Sequence, residues 1–203
     1  MNARTSTHAK VRSMATLAIL AAVVIVLQMI CTFIKFGPFS ITLALTPIAI
    51  GAAIFGPKTG AILGFVFSAV VYVTGLLGID GGFILAMMDY NAIGTTVLCL
   101  AKGTLAGLVA GLIYHPVAKK SPTAAALAAS MAAPITNTGI FALGTLTIFY
   151  GFLSNNAAAA GENPIGMLFL GWIGVNFIVE FVVNTALSSV VTRVVEIYNK
   201  RVK

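Results

Sequence analysis

What this chain has least of is charge. Only 8% of its 203 residues are Asp, Glu, Lys or Arg, while 59% are hydrophobic. Soluble domains carry about 25% charged residues. A chain this poor in charge has too few polar groups to cover a globular surface, whereas a bilayer removes that need. A mean hydropathy of +1.03 agrees, and the class is an integral membrane protein. Cysteine is scarce as well. Cys31 and Cys99 lie in apolar segments without metal-ligand spacing, so they read as small core residues, and no metal or cofactor is implied. There is no GxxxxGK[ST] stretch, so ATP-driven work would need separate ATPase subunits. HExxH and GxSxG are also missing, and the two histidines fall in the N-terminal tail and beside Pro116, where His115 reads as an interfacial residue. The chain therefore does not read as an enzyme.

The charge that is present is mostly positive, with a formal net charge of +7. It sits at helix ends and termini rather than among aromatic residues, which argues against a nucleic-acid partner. The apolar run after the basic start lacks a clear signal-peptidase site, so a retained first helix is expected.

Each membrane span needs ~20 apolar residues plus a connection. The chain accommodates six, over about 13–33, 41–55, 59–77, 91–114, 124–150 and 165–191, as one all-α, six-helix membrane domain. The breaks are KFGPFS with Gly37 and Pro38, the Gly56-Pro57 turn, and loops at 78–90, 115–123 and 151–164, of which 78–90 has room for a short interfacial helix. Arg4, Lys10, Arg12, Lys58, Lys119, Lys120, Arg193, Lys200, Arg201 and Lys203 fall on one side, and only Lys35 on the other. Positive residues accumulate on cytoplasmic loops, so both termini are expected in the cytoplasm. Gly60 and Gly64, then Gly103, Gly107 and Gly111, are spaced by four, as close helix packing in lipid requires.

Ionisable side chains at bilayer depth cost ~2.5 to 3.5 kcal/mol on insertion scales and usually face a partner, a cavity or a substrate path. Lys102 and Glu180 both fall near mid-span. Each belongs to a polar stripe: Asn176, Glu180 and Asn184 on the sixth span, and Asn91, Thr95 and Lys102 on the fourth. Thr136, Asn137 and Thr138 follow Pro134 on the fifth, with Phe141 one turn beyond Asn137 and Trp172 one turn before Asn176. A few convergent polar groups on an apolar wall describe a pocket for a small polar ligand. A Lys102–Glu180 ion pair with Asn and Thr as interhelical glue is the competing structural reading. Gln28 fits either the pocket or the headgroup region.

The chain resembles the S-components, the substrate-binding subunits of energy-coupling factor (ECF) vitamin transporters. The resemblance rests on RSMATLAILAAVV in the first helix, on ITLALTPIAIGAAIFGPKTGAILGFVFS from Ile41 to Ser68, on APITNTGIF and on NFIVEFVVNTALS. It implies a bacterial plasma-membrane protein that captures a vitamin from outside, largely with its last three helices. It also implies two kinds of partner: a transmembrane coupling subunit, met by Ala18 and Ala22 on a matching AxxxA, and two cytosolic ATPase subunits. The ITNTGIF and NFIVEFVVN segments are most similar to pantothenate-specific members. In that reading Lys102 pairs a carboxylate while Asn137, Asn176 and Glu180 read polar atoms, with Asn91, Thr95, Thr138, Phe141 and Trp172 completing the site. Another vitamin or precursor of riboflavin, folate or pyridoxine type is the alternative substrate. A self-sufficient secondary transporter is the rival mechanism, although no repeat relates the two halves, and a structural membrane protein without a ligand is the remaining rival.

Overall fold

A computed structural model describes residues 3–36, 39–40 and 42–202. Gly37 and Pro38 of the expected first turn, Ile41 at the expected start of the second span, and Lys203 lie outside the described residues. Helix α1 covers Ala3–Cys31, and β1 (Lys35–Phe36) pairs antiparallel with β2 (Phe39–Ser40). Helices α2 (Leu45–Phe55), α3 (Pro57–Leu76), α4 (Phe83–Ala118), α5 (Pro122–Thr147) and α6 (Tyr150–Ala160) follow. The last part is α7 (Pro164–Gly166), a π-helical stretch (Met167–Gly174), α8 (Val175–Ala186) and α9 (Ser188–Val202). Among the described residues five helices are long and apolar enough to cross a membrane: Val11–Cys31, Pro57–Leu76, Phe83–Ala118, Pro122–Thr147 and Pro164–Lys200. The structure is that of a multi-pass membrane protein.

The glycine spacing finds its purpose where α3 crosses α4. A Cβ added at Gly60 would strike the Gly107 carbonyl, one at Gly64 the Gly103 carbonyl, and one at Gly111 the backbone of Pro57. Only hydrogen at these positions lets the two backbones touch. The contact is locked by Ser68, whose Oγ accepts from the Gly103 N–H at 3.1 Å. Helix α5 packs by the same logic with alanine, burying Ala125, Ala126, Ala129 and Ala133 completely.

Four expectations need correction. The second span is an 11-residue helix, α2, about 16 Å long at 1.5 Å per residue, because residues 42–44 are not helical. The fourth span starts at Phe83 rather than about 91, taking in the part of 78–90 that has room for a short helix, because Asp80 caps the N-terminus, its two oxygens accepting from Gly82 N at 2.9 Å and Ile84 N at 2.7 Å. Gly81 and Gly82 supply the positive φ angles, 92° and 86°, that this cap requires. The expected loop at 151–164 holds α6, built on the alanine run that ends at Gly161 (φ 69°). The sixth span does not stop at 191: helix continues to Val202 after a one-residue interruption at Leu187.

Two apolar clusters divide the interior. One gathers Ile48, Leu63, Phe67, Ala106, Tyr114 and Val195; the other gathers Met87, Leu98, Phe141, Leu153, Leu168 and Trp172. The polar cavity touches both.

Candidate functional site

The cavity encloses about 520 Å³ including its open mouth, of which about 60 Å³ admits the centre of a water molecule. At roughly 10–15 Å³ per water on that measure, it has room for a small ligand. Helix α5 contributes Asn137, Thr138 and Phe141, and α4 contributes Lys102. Trp172, Asn176 and Glu180, four residues apart, come from the π-helical stretch and α8, with Ile173 beside them. The opposite wall is Gln28 of α1, Thr42 of the non-helical stretch, and Phe67 and Val71 of α3.

Local sequence explains how these groups meet. Pro134 sits inside α5 with no N–H to donate, one turn before Asn137. Trp172 and Ile173 both reach the cavity wall from the π-helical stretch. Non-helical backbone at 42–44 is tolerable at membrane depth only where it lines a cavity or is bonded to protein, and Thr42 does both.

Glu180 is the most buried charged group here, 2% exposed. Its Oε1 accepts from Asn176 Nδ2 at 3.3 Å, and Thr42 offers its side chain and its backbone to the same carboxylate as hydrogen-bond partners. Oε2 has no partner. Asn176 Oδ1, Asn137 Oδ1 and Gln28 Oε1 are likewise buried without partners. Each such atom forfeits about 1–3 kcal/mol when left dry, and native structures rarely keep several together without a ligand or water to satisfy them. Lys102 Nζ stands 5.7 Å from the centroid of the Phe141 ring, a cation–π distance. No direct ion pair joins it to Glu180 among the described residues.

An aromatic cluster backs the cavity-lining Phe141 and Trp172. Phe83, at the start of α4, meets Trp172 edge-on at 5.0 Å and lies 6.0 Å from Phe152 of α6 and 6.4 Å from Phe141. Phe83 comes from the 78–90 segment, which has room for a short helix, and Phe152 from the 151–164 segment expected to be a loop.

Lys102, Asn137, Thr138, Phe141, Trp172, Asn176 and Glu180 line one cavity. Asn91 and Thr95 do not. Asn91 marks a kink in α4 (φ −158°, ψ 93°), where its Oδ1 accepts from Gly94 N at 2.9 Å and caps the second half of the helix. Thr95 donates to the Asn91 carbonyl at 2.9 Å. Both side chains are spent on the kink. Sequence reasoning missed Thr42, Phe67, Val71 and Ile173, which carry no polar periodicity of their own, and left Gln28 open. Ala18 and Ala22 are exposed on α1 and do not line the cavity, and His115 Nε2 lies 3.1 Å from the Ala52 carbonyl of α2.

Five long apolar helices around a partly open cavity, into whose apolar wall several polar side chains converge, give a membrane protein with room for a small molecule. The family described as ECF transporter, substrate-specific component, matches residues 12–192, and the chain belongs to it. It is thus a substrate-binding subunit of an ECF transporter, from a family that binds and transports rather than catalyses and that associates with an ECF module. No individual curated protein matches the chain.

Proposed function

We propose that this subunit captures pantothenate from outside the cell and presents it for ATP-driven uptake. The observation that carries this reading is the pairing, in one small cavity, of an ammonium group with four unpartnered acceptor oxygens. A ligand that satisfies both has one carboxylate for Lys102 and several donors for Gln28, Asn137, Asn176 and Glu180. Pantothenate has a carboxylate, two hydroxyls and an amide N–H. Thr138, Phe141 and Trp172 complete the wall. The small volume favours such a molecule over the larger ring systems of riboflavin or folate.

In this reading α2 with the non-helical residues before it makes the second of six crossings, and both termini face the cytoplasm, because Arg12, Lys58, Lys119, Lys120 and Arg193 then share that side. Ala18 and Ala22 meet the transmembrane coupling subunit, and two cytosolic ATPase subunits supply the energy. The test is mass spectrometry of small molecules that co-purify with the chain, followed by calorimetry against pantothenate, riboflavin, folate and pyridoxine. Pantothenate is the expected ligand. Binding of one of the others, with no heat from pantothenate, overturns the assignment.

A further inference from the structure

Asn184 lies one turn past Glu180, outside the cavity lining, and is 1% exposed. Its amide is fully used. Nδ2 donates to the Glu180 carbonyl at 2.8 Å and to the Thr42 carbonyl at 3.3 Å, while Oδ1 accepts from the Thr46 hydroxyl at 2.9 Å. Two of these three partners come from a segment 138 and 142 residues away in sequence. That segment joins the non-helical residues 42–44 to the first turn of α2, where the Leu43 and Ala44 carbonyls accept from Thr46 N and Ile48 N but the Thr42 carbonyl accepts from Asn184. Thr42, held at its carbonyl by Asn184, bonds in turn to the Glu180 carboxylate.

We propose that Asn184 is the positioning residue of the cavity's carboxylate: it holds residues 42–46 against α8 and thereby fixes Thr42 on Glu180, leaving Oε2 aimed at the ligand. The inference rests on the reading of Glu180 as a substrate-facing group. Its physical basis is that a buried carboxylate has a defined direction only when its other lone pairs are engaged, and Asn184 sets the partner that engages them. The cavity floor is then shared between the first and last thirds of the chain through one amide. Thr46 and Asn184 form its far side, and Thr42 and Glu180 its near side.

The test uses the full chain in detergent or nanodiscs, with pantothenate as the probe. Asn184→Ala is expected to weaken binding at least tenfold in the parent protein but less than twofold in a Glu180→Gln background, because the amide acts through that carboxylate. Equal losses in both backgrounds overturn the proposal. Hydrogen exchange without ligand gives a second arm: Asn184→Ala is expected to accelerate exchange at residues 42–46 while the α3–α4 glycine crossing stays protected. Unchanged exchange at 42–46 also overturns it. If Asn184→Ala fails to fold, Thr46→Val removes one of the amide's three bonds with little change of shape and is expected to show the same non-additivity with Glu180→Gln, at smaller size. Should the parent protein give no heat with pantothenate, the substrate assignment fails by itself, and the exchange arm still decides the role of Asn184.

Discussion

Lys102 and Glu180 face the same cavity without pairing. The ammonium rests over the Phe141 ring, and the carboxylate bonds to Asn176 with Oε2 left over. A bundle that needed these charges only for stability would close them on each other, since an uncompensated buried charge costs several kcal/mol. Held apart, each keeps bonding capacity for something that enters.

The first prediction follows from that separation. Lys102→Met keeps the length of the side chain and removes the charge. A hydrogen bond to a charged group contributes about 1.5–3 kcal/mol, so pantothenate affinity is expected to fall about 10- to 100-fold. Unfolding of the ligand-free protein should change little, because the native ammonium has no carboxylate to lose among the described residues. Calorimetry and thermal unfolding in detergent separate the two quantities. The variant should also cease to distinguish pantothenate from its neutral alcohol analogue. Unchanged affinity would remove Lys102 from the carboxylate role.

Stability is set elsewhere, at the glycine crossing. A Cβ at Gly103 would lie 2.6 Å from the Phe67 ring and 2.8 Å from the Gly64 carbonyl, and the backbone carbonyl has nowhere to go. Overpacking of this kind costs about 1–3 kcal/mol. Gly103→Val is therefore expected to lower the unfolding temperature and the yield of monodisperse protein. Gly139→Ala is the control: nothing lies within 4 Å of its added methyl, and alanine is the better helix former by about 1 kcal/mol. Equal behaviour of the two variants would show that the α3–α4 contact is looser than its geometry.

How far the sequence carried this picture depended on periodicity. Trp172, Asn176 and Glu180 recur every four residues on a helix, so their common face could be read directly, and the same holds for Gly60 with Gly64 and Gly103 with Gly107. Composition alone identified the membrane. What stayed hidden were places where one residue overrides a regular pattern. Asn91 reads as part of a polar stripe but spends its side chain capping a kink. Thr42 reads as the first turn of a helix, yet the chain there is non-helical and is held by Asn184 across 142 residues, a contact no local rule contains. The alanines of α6 read as a loop because they stand between GFLSNN and GENP, although alanine is the strongest helix former. The Phe152 contact with Trp172 was lost with them.

The last prediction concerns the other face of the molecule. Helix α1 turns Val24, Gln28 and Cys31 inward and leaves Ala18 and Ala22 outward, between Met14 and Ile19, which are 71% and 63% exposed. Small residues one turn apart on an exposed apolar helix let a second helix approach closely, and the proposed occupant of that face is the coupling subunit. Ala18→Trp fills the groove. Position 18 is ten residues before Gln28, about 15 Å along the helix, so pantothenate binding should be unchanged. Uptake by the reconstituted complex should fall more than tenfold, and co-purification of the coupling subunit should fall with it. If transport persists at the parent rate while the variant still binds ligand, the contact lies on a different face, and Ala18 and Ala22 face lipid.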